Sequence, residues 1–120
     1  MKMKAKIALF RMLKTHSKII GNEITIRGNS MFPTLINGEK VIVDLSAKNV
    51  NVGDIILYQQ YPAHLTSHRV VKIIDQKGLT FYLTKGDNNS ECDPYLVSPD
   101  RIIGKIIGKK QQKTQNNYDK

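Results

Sequence analysis

The sequence predicts a mainly β protein in which short strands form a sandwich or a barrel-like sheet. Two observations lead to this prediction. Short strand-like segments recur at regular spacing through the middle of the chain, at residues 23–27, 40–44, 55–58, 67–74, 79–83 and 101–107. Turn signals such as Asn37-Gly38 and Lys77-Gly78 separate these segments. Regularly spaced short strands with turns between them are typical of sandwiches and barrels.

A short amphipathic helix is predicted before the strands, over residues 4–14. Leu9 and Leu13 are four residues apart, and Phe10 and Leu13 are three apart, so the three side chains can share one helical face. Basic residues lie between them, which leaves two roles open. The helix could pack onto the domain, or its basic and apolar face could dock reversibly on an anionic membrane.

The residue pattern beside each turn supports the strand assignments. Residues 23–27 alternate polar and apolar side chains, as a half-buried strand does, and 40–44 follow the Asn37-Gly38 turn. The apolar run at 55–58 follows a turn at 52–54.

The later strands follow in the same way. A turn at 75–78 separates 67–74 from 79–83, and 101–107 contains Gly104, which favours a bulge inside that strand. The segment after Gly108 is polar and rich in Gln, Asn and Lys, so it is predicted to be disordered.

Length and charge bound the class of protein. The chain has 120 residues, enough for one domain, and a formal net charge of +9 at pH 7. Residues 1–20 carry six Lys or Arg and no acid, and 105–120 carry five Lys and one Asp, whereas 21–104 hold eight basic and nine acidic residues. Basic ends on a nearly neutral body argue against a nucleic-acid-binding face spread over the fold, so we expect no nucleic-acid partner.

The cysteine and hydropathy patterns exclude several further classes. The single cysteine, Cys92, permits no intramolecular disulfide, and with three scattered histidines it gives no metal-ligand spacing. We therefore expect no metal ion and no organic cofactor. Apolar runs span four residues or fewer, whereas a membrane-spanning helix needs about 20. We expect no transmembrane segment, no signal peptide, and a cytoplasmic protein that at most contacts a membrane peripherally.

Three residue types suited to nucleophilic catalysis lie at strand ends and turns. Ser30 follows the first predicted strand. A serine hydroxyl is a weak nucleophile until a base takes its proton, and histidine, with an unperturbed pKa of about 6.5, suits that role. His68 opens an apolar strand, and Asp87 and Asp93 lie in or after the turn at 85–89, where a carboxylate could fix an imidazole tautomer. Most small proteins contain these residue types, so composition alone leaves ordinary turn chemistry open.

Five segments add a specific pattern. They are Gly-Asn-Ser-Met-Phe-Pro-Thr-Leu, Val-Gly-Asp-Ile-Ile-Leu-Tyr, Ser-His-Arg-Val-Val, Leu-Thr-Lys-Gly-Asp-Asn-Asn and Ile-Ile-Gly-Lys-Ile, in that order between about residues 24 and 108. In order and spacing they resemble the type I signal peptidase family and, more broadly, the signal peptidase and LexA-like serine peptidases. The resemblance implies the β-ribbon or barrel-like sheet of that family, with Ser30 as nucleophile.

The resemblance also implies roles for the other polar residues. Most bacterial members and LexA-like proteins use a lysine as general base, whereas His68 stands at the matching position, as in the archaeal and endoplasmic-reticulum branch. Asp93 matches the later aspartate of that branch and is expected to orient His68. Asp87 matches the Gly-Asp-Asn aspartate and either joins the catalytic group or holds the backbone of the site together.

Residues around the nucleophile are expected to contact the substrate, and they are Gly28, Asn29, Met31 and Pro33. Family members often carry a serine at the Gly28 position as a side-chain donor to the oxyanion. With glycine there, backbone N–H groups are expected to stabilise the oxyanion, with that of Ser30 the main candidate.

The predicted function is therefore a serine endopeptidase that cleaves the leader or signal segment of a peptide or protein precursor after small residues. The predicted organisation is a helix and basic arm at 1–22, a catalytic domain at 23–108 and a disordered tail at 109–120, without the anchoring helix of membrane signal peptidases. Three alternatives remain. One is a self-cleaving LexA-like regulator, and another is a non-enzymatic peptide-binding module on the same fold. The third is binding of a nucleic acid or a membrane through the basic ends of the chain.

Overall fold

A computed structural model of the chain describes residues 21–47, 49–60 and 64–111. In these residues seven antiparallel strands form one sheet, in the order β1-β2-β7-β3-β4-β5-β6. The strands are β1 (Glu23–Thr25), β2 (Lys40–Asp44), β3 (Ile55–Gln60), β4 (His64–Gln76), β5 (Leu79–Lys85), β6 (Leu96–Val97) and β7 (Ile102–Lys109), and a 3-10 turn spans Pro99–Arg101. The predicted mainly β class is confirmed.

The differences from the predicted strands lie mostly at strand ends. β4 begins three residues before the predicted segment at 67–74, because its residues from His64 onward pair with β3 as far as Gln60. β5 and β7 each extend two residues beyond their predicted ends. The two-residue strand β6 was not predicted, since a pair of residues carries no periodicity. The predicted helix at 4–14 and most of the predicted tail lie outside the described residues.

A bulge between Val70 and Lys72 shifts the register of β4 against β5 by one residue next to the site. The β4–β5 hairpin turn sets the register on the other side of this bulge. Its central residues both have positive φ, 51° at Lys77 and 78° at Gly78, as a type I′ turn requires. This turn places Gln76 opposite Leu79, and the pairing ends where Arg69 lies opposite Lys85. The first residues of β4 therefore extend past the end of β5.

Two apolar clusters lie on opposite faces of the sheet. The first apolar cluster contains Ile24, Ile26, Met31, Leu35, Val41, Val43, Leu57 and Ile103. The second apolar cluster contains Ile56, Tyr58, Val70, Tyr82, Val97 and Ile102. Neighbouring strand residues point to opposite faces, so Leu57 packs in the first cluster while Ile56 and Tyr58 pack in the second. Among the described residues no helix is long and apolar enough to cross a lipid bilayer.

Gly104 lies at a bulge in β7, as predicted. Leu57 is paired with Gly104, but the next β3 residue is paired with Ile102, so one residue of β7 is inserted between them. A Cβ at Gly104 would lie 2.5 Å from the backbone oxygen of Asp44 and 2.9 Å from a methyl carbon of Val43. Glycine is therefore required for β2 and β7 to approach this closely.

We expect Gly104→Ala to lower the free energy of unfolding by about 1–3 kcal/mol, because the new methyl group must displace buried backbone. The matched control is Gly108→Ala in the same strand, where a Cβ would have no atom within 4 Å. Urea denaturation of both variants measures the difference. Equal stabilities for the two variants would contradict the steric role of Gly104.

Candidate active site

Ser30 lies in the turn segment between β1 and β2, and contacts on both sides hold it there. The φ of Gly28 is 86°, and its N–H donates to Asn37 Oδ1 at 2.7 Å, which bends the chain directly after β1. Met31 and Leu35, each 2% exposed, pack in the first apolar cluster. The backbone around Ser30 is therefore anchored by packing on one side and by a hydrogen bond on the other.

His68 lies between Ser30 and Asp93. Its Nε2 is 3.0 Å from Ser30 Oγ, and its Nδ1 is 2.7 Å from Asp93 Oδ2. The side chains of His68 and Asp93 are 9% and 10% exposed. With the Nδ1 proton donated to the carboxylate, Nε2 keeps a lone pair that can accept the serine proton. The arrangement has the hydrogen bonds that a nucleophile, a base and an orienting acid require.

A second layer of polar side chains surrounds Asp93. Thr84 Oγ1 donates to Asp93 Oδ2 at 2.6 Å, and the Tyr58 hydroxyl donates to the same oxygen at 3.4 Å. The hydroxyls of Tyr58 and Tyr95 are 2.8 Å apart. These three residues were not predicted from the sequence. Leu79, Phe81 and Leu83 alternate with Thr80 and Thr84, which favours an exposed Thr84, whereas the structure buries it.

Asp87 contacts Arg69 rather than His68. Arg69 donates from Nε to Oδ1 at 2.9 Å and from Nη2 to Oδ2 at 2.7 Å, and Thr34 donates to Oδ2 at 2.6 Å. The hydrogen bonds from Arg69, aided by that from Thr34, lower the pKa of Asp87 from 3.8 to about 2. The pair joins β4 to the loop after β5, and the hydrogen bond from Thr34 ties this loop to the segment that carries Ser30.

The loop after β5 fixes the nucleophile segment from a second side. The N–H of Asn88 donates to Ser30 O at 2.8 Å, and its side-chain amide donates to Asn29 O at 3.0 Å. A Cβ at Gly86 would lie 2.6 Å from the same Ser30 oxygen. Glycine at this position lets the loop after β5 approach the segment that carries Ser30. This close approach helps to fix the position of the Ser30 backbone.

A cleft of about 240 Å³ opens beside Ser30, between β1 and the first residues of β4. Its walls are lined by Ile24, Thr25, Ile26, Arg27, Gly28, Ser30, Met31, Leu57, Gln60, Leu65, Thr66, Ser67 and His68. Of the four predicted substrate-contacting residues, Gly28 and Met31 line this cleft. Asn29 and Pro33 instead lie exposed outside its walls, because the turn carries them past the sheet.

Two other reactive side chains, Lys85 and Cys92, come from the end of β5 and from the loop that follows it. Lys85 Nζ donates to its neighbour's backbone oxygen, Gly86 O, at 3.2 Å, and Cys92 is exposed. Across the part of the chain that the structure describes, no three His, Cys, Asp or Glu side chains converge as a metal site. The described side chains that contact one another as a candidate catalytic group are Ser30, His68 and Asp93.

We expect Asp87→Asn to destabilise the fold by about 1–2 kcal/mol near neutral pH, allowing for solvent screening of the partly exposed pair. The pKa of Asp87 is lower in the folded chain, about 2 against 3.8, so the ionised pair stabilises the fold above about pH 4. This stabilisation is lost as the pH falls from about 4 to 2.

Urea denaturation at several pH values measures this effect, with Asp75→Asn on the exposed end of β4 as control. The difference between wild type and Asp87→Asn should shrink on acidification. A difference that stays constant down to pH 2 would show that the ionised pair contributes nothing.

Two known proteins are similar in sequence to this chain. The chain is 29% identical over 86 residues to signal peptidase I W of Bacillus subtilis (strain 168), covering 70% of this chain and 45% of that protein. It is 29% identical over 94 residues to the signal peptidase complex catalytic subunit sec11 of Dictyostelium discoideum, covering 71% of this chain and 52% of that subunit. The chain thus spans about half the length of these curated relatives. No solved structure matches it significantly.

The family assignment rests on a longer match. A family model described as Peptidase S24-like matches residues 12–107, most of the 120-residue chain and every residue of the Ser30, His68 and Asp93 group. The resemblance seen in the sequence motifs is confirmed, and the chain belongs to the Peptidase S24-like family.

Proposed function

We propose that the chain is a serine endopeptidase of signal-peptidase type that cleaves a peptide or protein precursor. The observation that carries the proposal is the continuous contact from Ser30 Oγ to His68 Nε2 at 3.0 Å and from His68 Nδ1 to Asp93 Oδ2 at 2.7 Å. The two relatives are named as signal peptidases, which supports a precursor with a leader or signal segment as substrate.

The proposed reaction proceeds in two steps. Ser30 Oγ attacks the scissile carbonyl carbon while His68 Nε2 takes the hydroxyl proton, and His68 then protonates the leaving amine as the C–N bond breaks. A water molecule, deprotonated by His68, hydrolyses the resulting ester and restores the serine hydroxyl. Asp93 stabilises the imidazolium that forms in each step.

Backbone groups are proposed to stabilise the oxyanion. Gly28 has no side chain, and its N–H already donates to Asn37 Oδ1. Gly28 is therefore not a candidate donor to the oxyanion. The Ser30 N–H is the donor that we propose. One such donor typically contributes about 2.7–4 kcal/mol of transition-state stabilisation.

The cleft supports an extended substrate with small side chains before the cut. It lies beside β1 at the edge of the sheet, where a peptide could add as a strand. Its 240 Å³ is below the range of about 300–1,000 Å³ usual for pockets that hold drug-sized ligands. Apolar walls from Ile24, Ile26, Met31 and Leu57 favour small apolar residues there.

Cleavage of a mixed peptide library, read by mass spectrometry, tests the proposal. Wild type should cut after small residues, and Ser30→Ala and His68→Ala should each lose at least about 10³-fold in rate, because each removes a group that takes part in bond making. His64→Ala is the matched control, since His64 lies in the same strand but is exposed.

Three outcomes would contradict this proposal. Cuts that survive Ser30→Ala would mean a different nucleophile. A wild type that binds peptides but cleaves none would favour the peptide-binding alternative. Two fragments of the stored wild type, absent from Ser30→Ala, would identify the self-cleaving alternative.

A further inference from the structure

We propose that Thr84 is a positioning residue whose hydroxyl holds the Asp93 carboxylate in the orientation that His68 requires. This inference rests on the proposed function and deepens it, since it names the group that makes Asp93 effective. Three observations support it: the hydrogen bonds between Thr84 and Asp93, the burial of these two side chains, and the longer distance from Asp93 to the Tyr58 hydroxyl.

Thr84 binds Asp93 at two points. Its Oγ1 donates to Asp93 Oδ2 at 2.6 Å, and the N–H of Asp93 donates to the Thr84 carbonyl oxygen at 2.8 Å. The first bond fixes the carboxylate, and the second fixes the backbone from which that carboxylate extends. With both ends held, rotation of the Asp93 side chain away from His68 requires breaking a hydrogen bond to a charged group.

The hydrogen bonds from the Thr84 hydroxyl and from His68 end on the same carboxylate oxygen of Asp93. Asp93 Oδ2 accepts from Thr84 Oγ1 and is 2.7 Å from His68 Nδ1. The hydroxyl thus sets the position of the same atom that orients the imidazole. A shift of this oxygen would be transmitted to His68 Nε2 and to its contact with Ser30.

Burial makes the contact strong. Thr84 is fully buried and the Asp93 side chain is 10% exposed, so water competes little for the carboxylate. A hydrogen bond from a hydroxyl to an ionised group is about twice as strong as one between two neutral groups, and little water competes for it here. Among the described residues only His68 and Thr84 are buried polar residues, and both contact Asp93.

The tyrosines contribute less to the position of the carboxylate. The Tyr58 hydroxyl is 3.4 Å from Asp93 Oδ2, at the long limit of a hydrogen bond, and 2.8 Å from the Tyr95 hydroxyl. Burial raises the pKa of both tyrosines, so they stay neutral while His68 gains and loses its proton. Tyr58 also packs edge-on against His68, with ring centroids 6.4 Å apart. The tyrosines enclose the pair, and Thr84 supplies the short bond.

Three substitutions of Thr84 separate the hydroxyl from the methyl group. Thr84→Val keeps the shape and removes the hydroxyl, Thr84→Ser keeps the hydroxyl and removes the methyl, and Thr84→Ala removes both. Serine and alanine differ only in the hydroxyl, so this pair repeats the comparison should the valine variant fail to fold. Thermal unfolding of each variant records the effect on stability.

The first measurement needs no substrate. In NMR spectra of the full-length ¹⁵N-labelled protein, the Nδ1–H signal of His68, assigned with His68→Gln, reports the bond to Asp93. We expect a signal protected from solvent exchange in wild type and in Thr84→Ser, and its loss in Thr84→Val and Thr84→Ala. A purely structural role predicts the opposite order, because removing a buried methyl disturbs packing more than an isosteric exchange does.

The second measurement is peptide cleavage. Thr84→Val should lower kcat about tenfold with little change in KM, equivalent to about 1.4 kcal/mol, while Thr84→Ser should stay within about threefold of wild type. The KM should change little because Thr84 is buried away from the cleft walls.

Several results would overturn the inference. They are a protected Nδ1–H signal in Thr84→Val equal to that of wild type, the loss of this signal in Thr84→Ser, and its absence from wild type. Failure of the proposed function looks different. A wild type that shows the protected signal but cleaves no peptide would leave the positioning of Asp93 by Thr84 intact and would remove the peptidase proposal.

Discussion

The register of β4 against its neighbours is the constraint on which the candidate site depends. His68 and Arg69 are adjacent, so their side chains leave the strand on opposite faces. His68 is bonded to Asp93 and Arg69 to Asp87, and both aspartates come from the segment that follows β5. A slip of one residue would exchange the two faces and break both contacts at once. The hairpin turn at Lys77-Gly78 and the bulge between Val70 and Lys72 together fix which residues of β4 and β5 are paired, and both oppose such a slip.

The Asp93 carboxylate and its hydrogen-bond partners form a polar group on a mainly apolar face of the sheet. Asp93 lies beside the second apolar cluster, where an ionised carboxylate without partners would be strongly unfavourable. Donors from Thr84, Tyr58 and His68 satisfy it, and the tyrosine hydroxyls bond to each other. A network of this kind stabilises one arrangement of the core, because loss of any donor leaves a buried acceptor with fewer partners.

Alternation of polar and apolar residues predicted the strands, and the family-like order of the motifs grouped Ser30, His68 and Asp93. The resemblance also implied that Asp93 orients His68. The pairing of Asp87 with Arg69 could not be read from the sequence, because it depends on the face of β4 from which Arg69 projects. The exposed positions of Asn29 and Pro33 depend in the same way on how the turn leaves the sheet. The contribution of Thr84 was hidden because a threonine in a strand is ordinary.

The two aspartates have different partners: Asp87 forms an ion pair with Arg69, and Asp93 is hydrogen-bonded to His68. Asp87 is partly exposed and has a guanidinium partner, an arrangement that stabilises the ionised form and joins two segments of the chain. The Asp93 side chain is 10% exposed and its hydroxyl donors are neutral, so in the proposed mechanism its charge acts on the imidazolium that forms on His68. A cationic partner on Asp93 would neutralise this charge and weaken its effect on the histidine. The ion pair with Arg69 and the hydrogen bond from Thr34 therefore hold Asp87 between β4 and the segment that carries Ser30, while the Asp93 carboxylate stays next to His68.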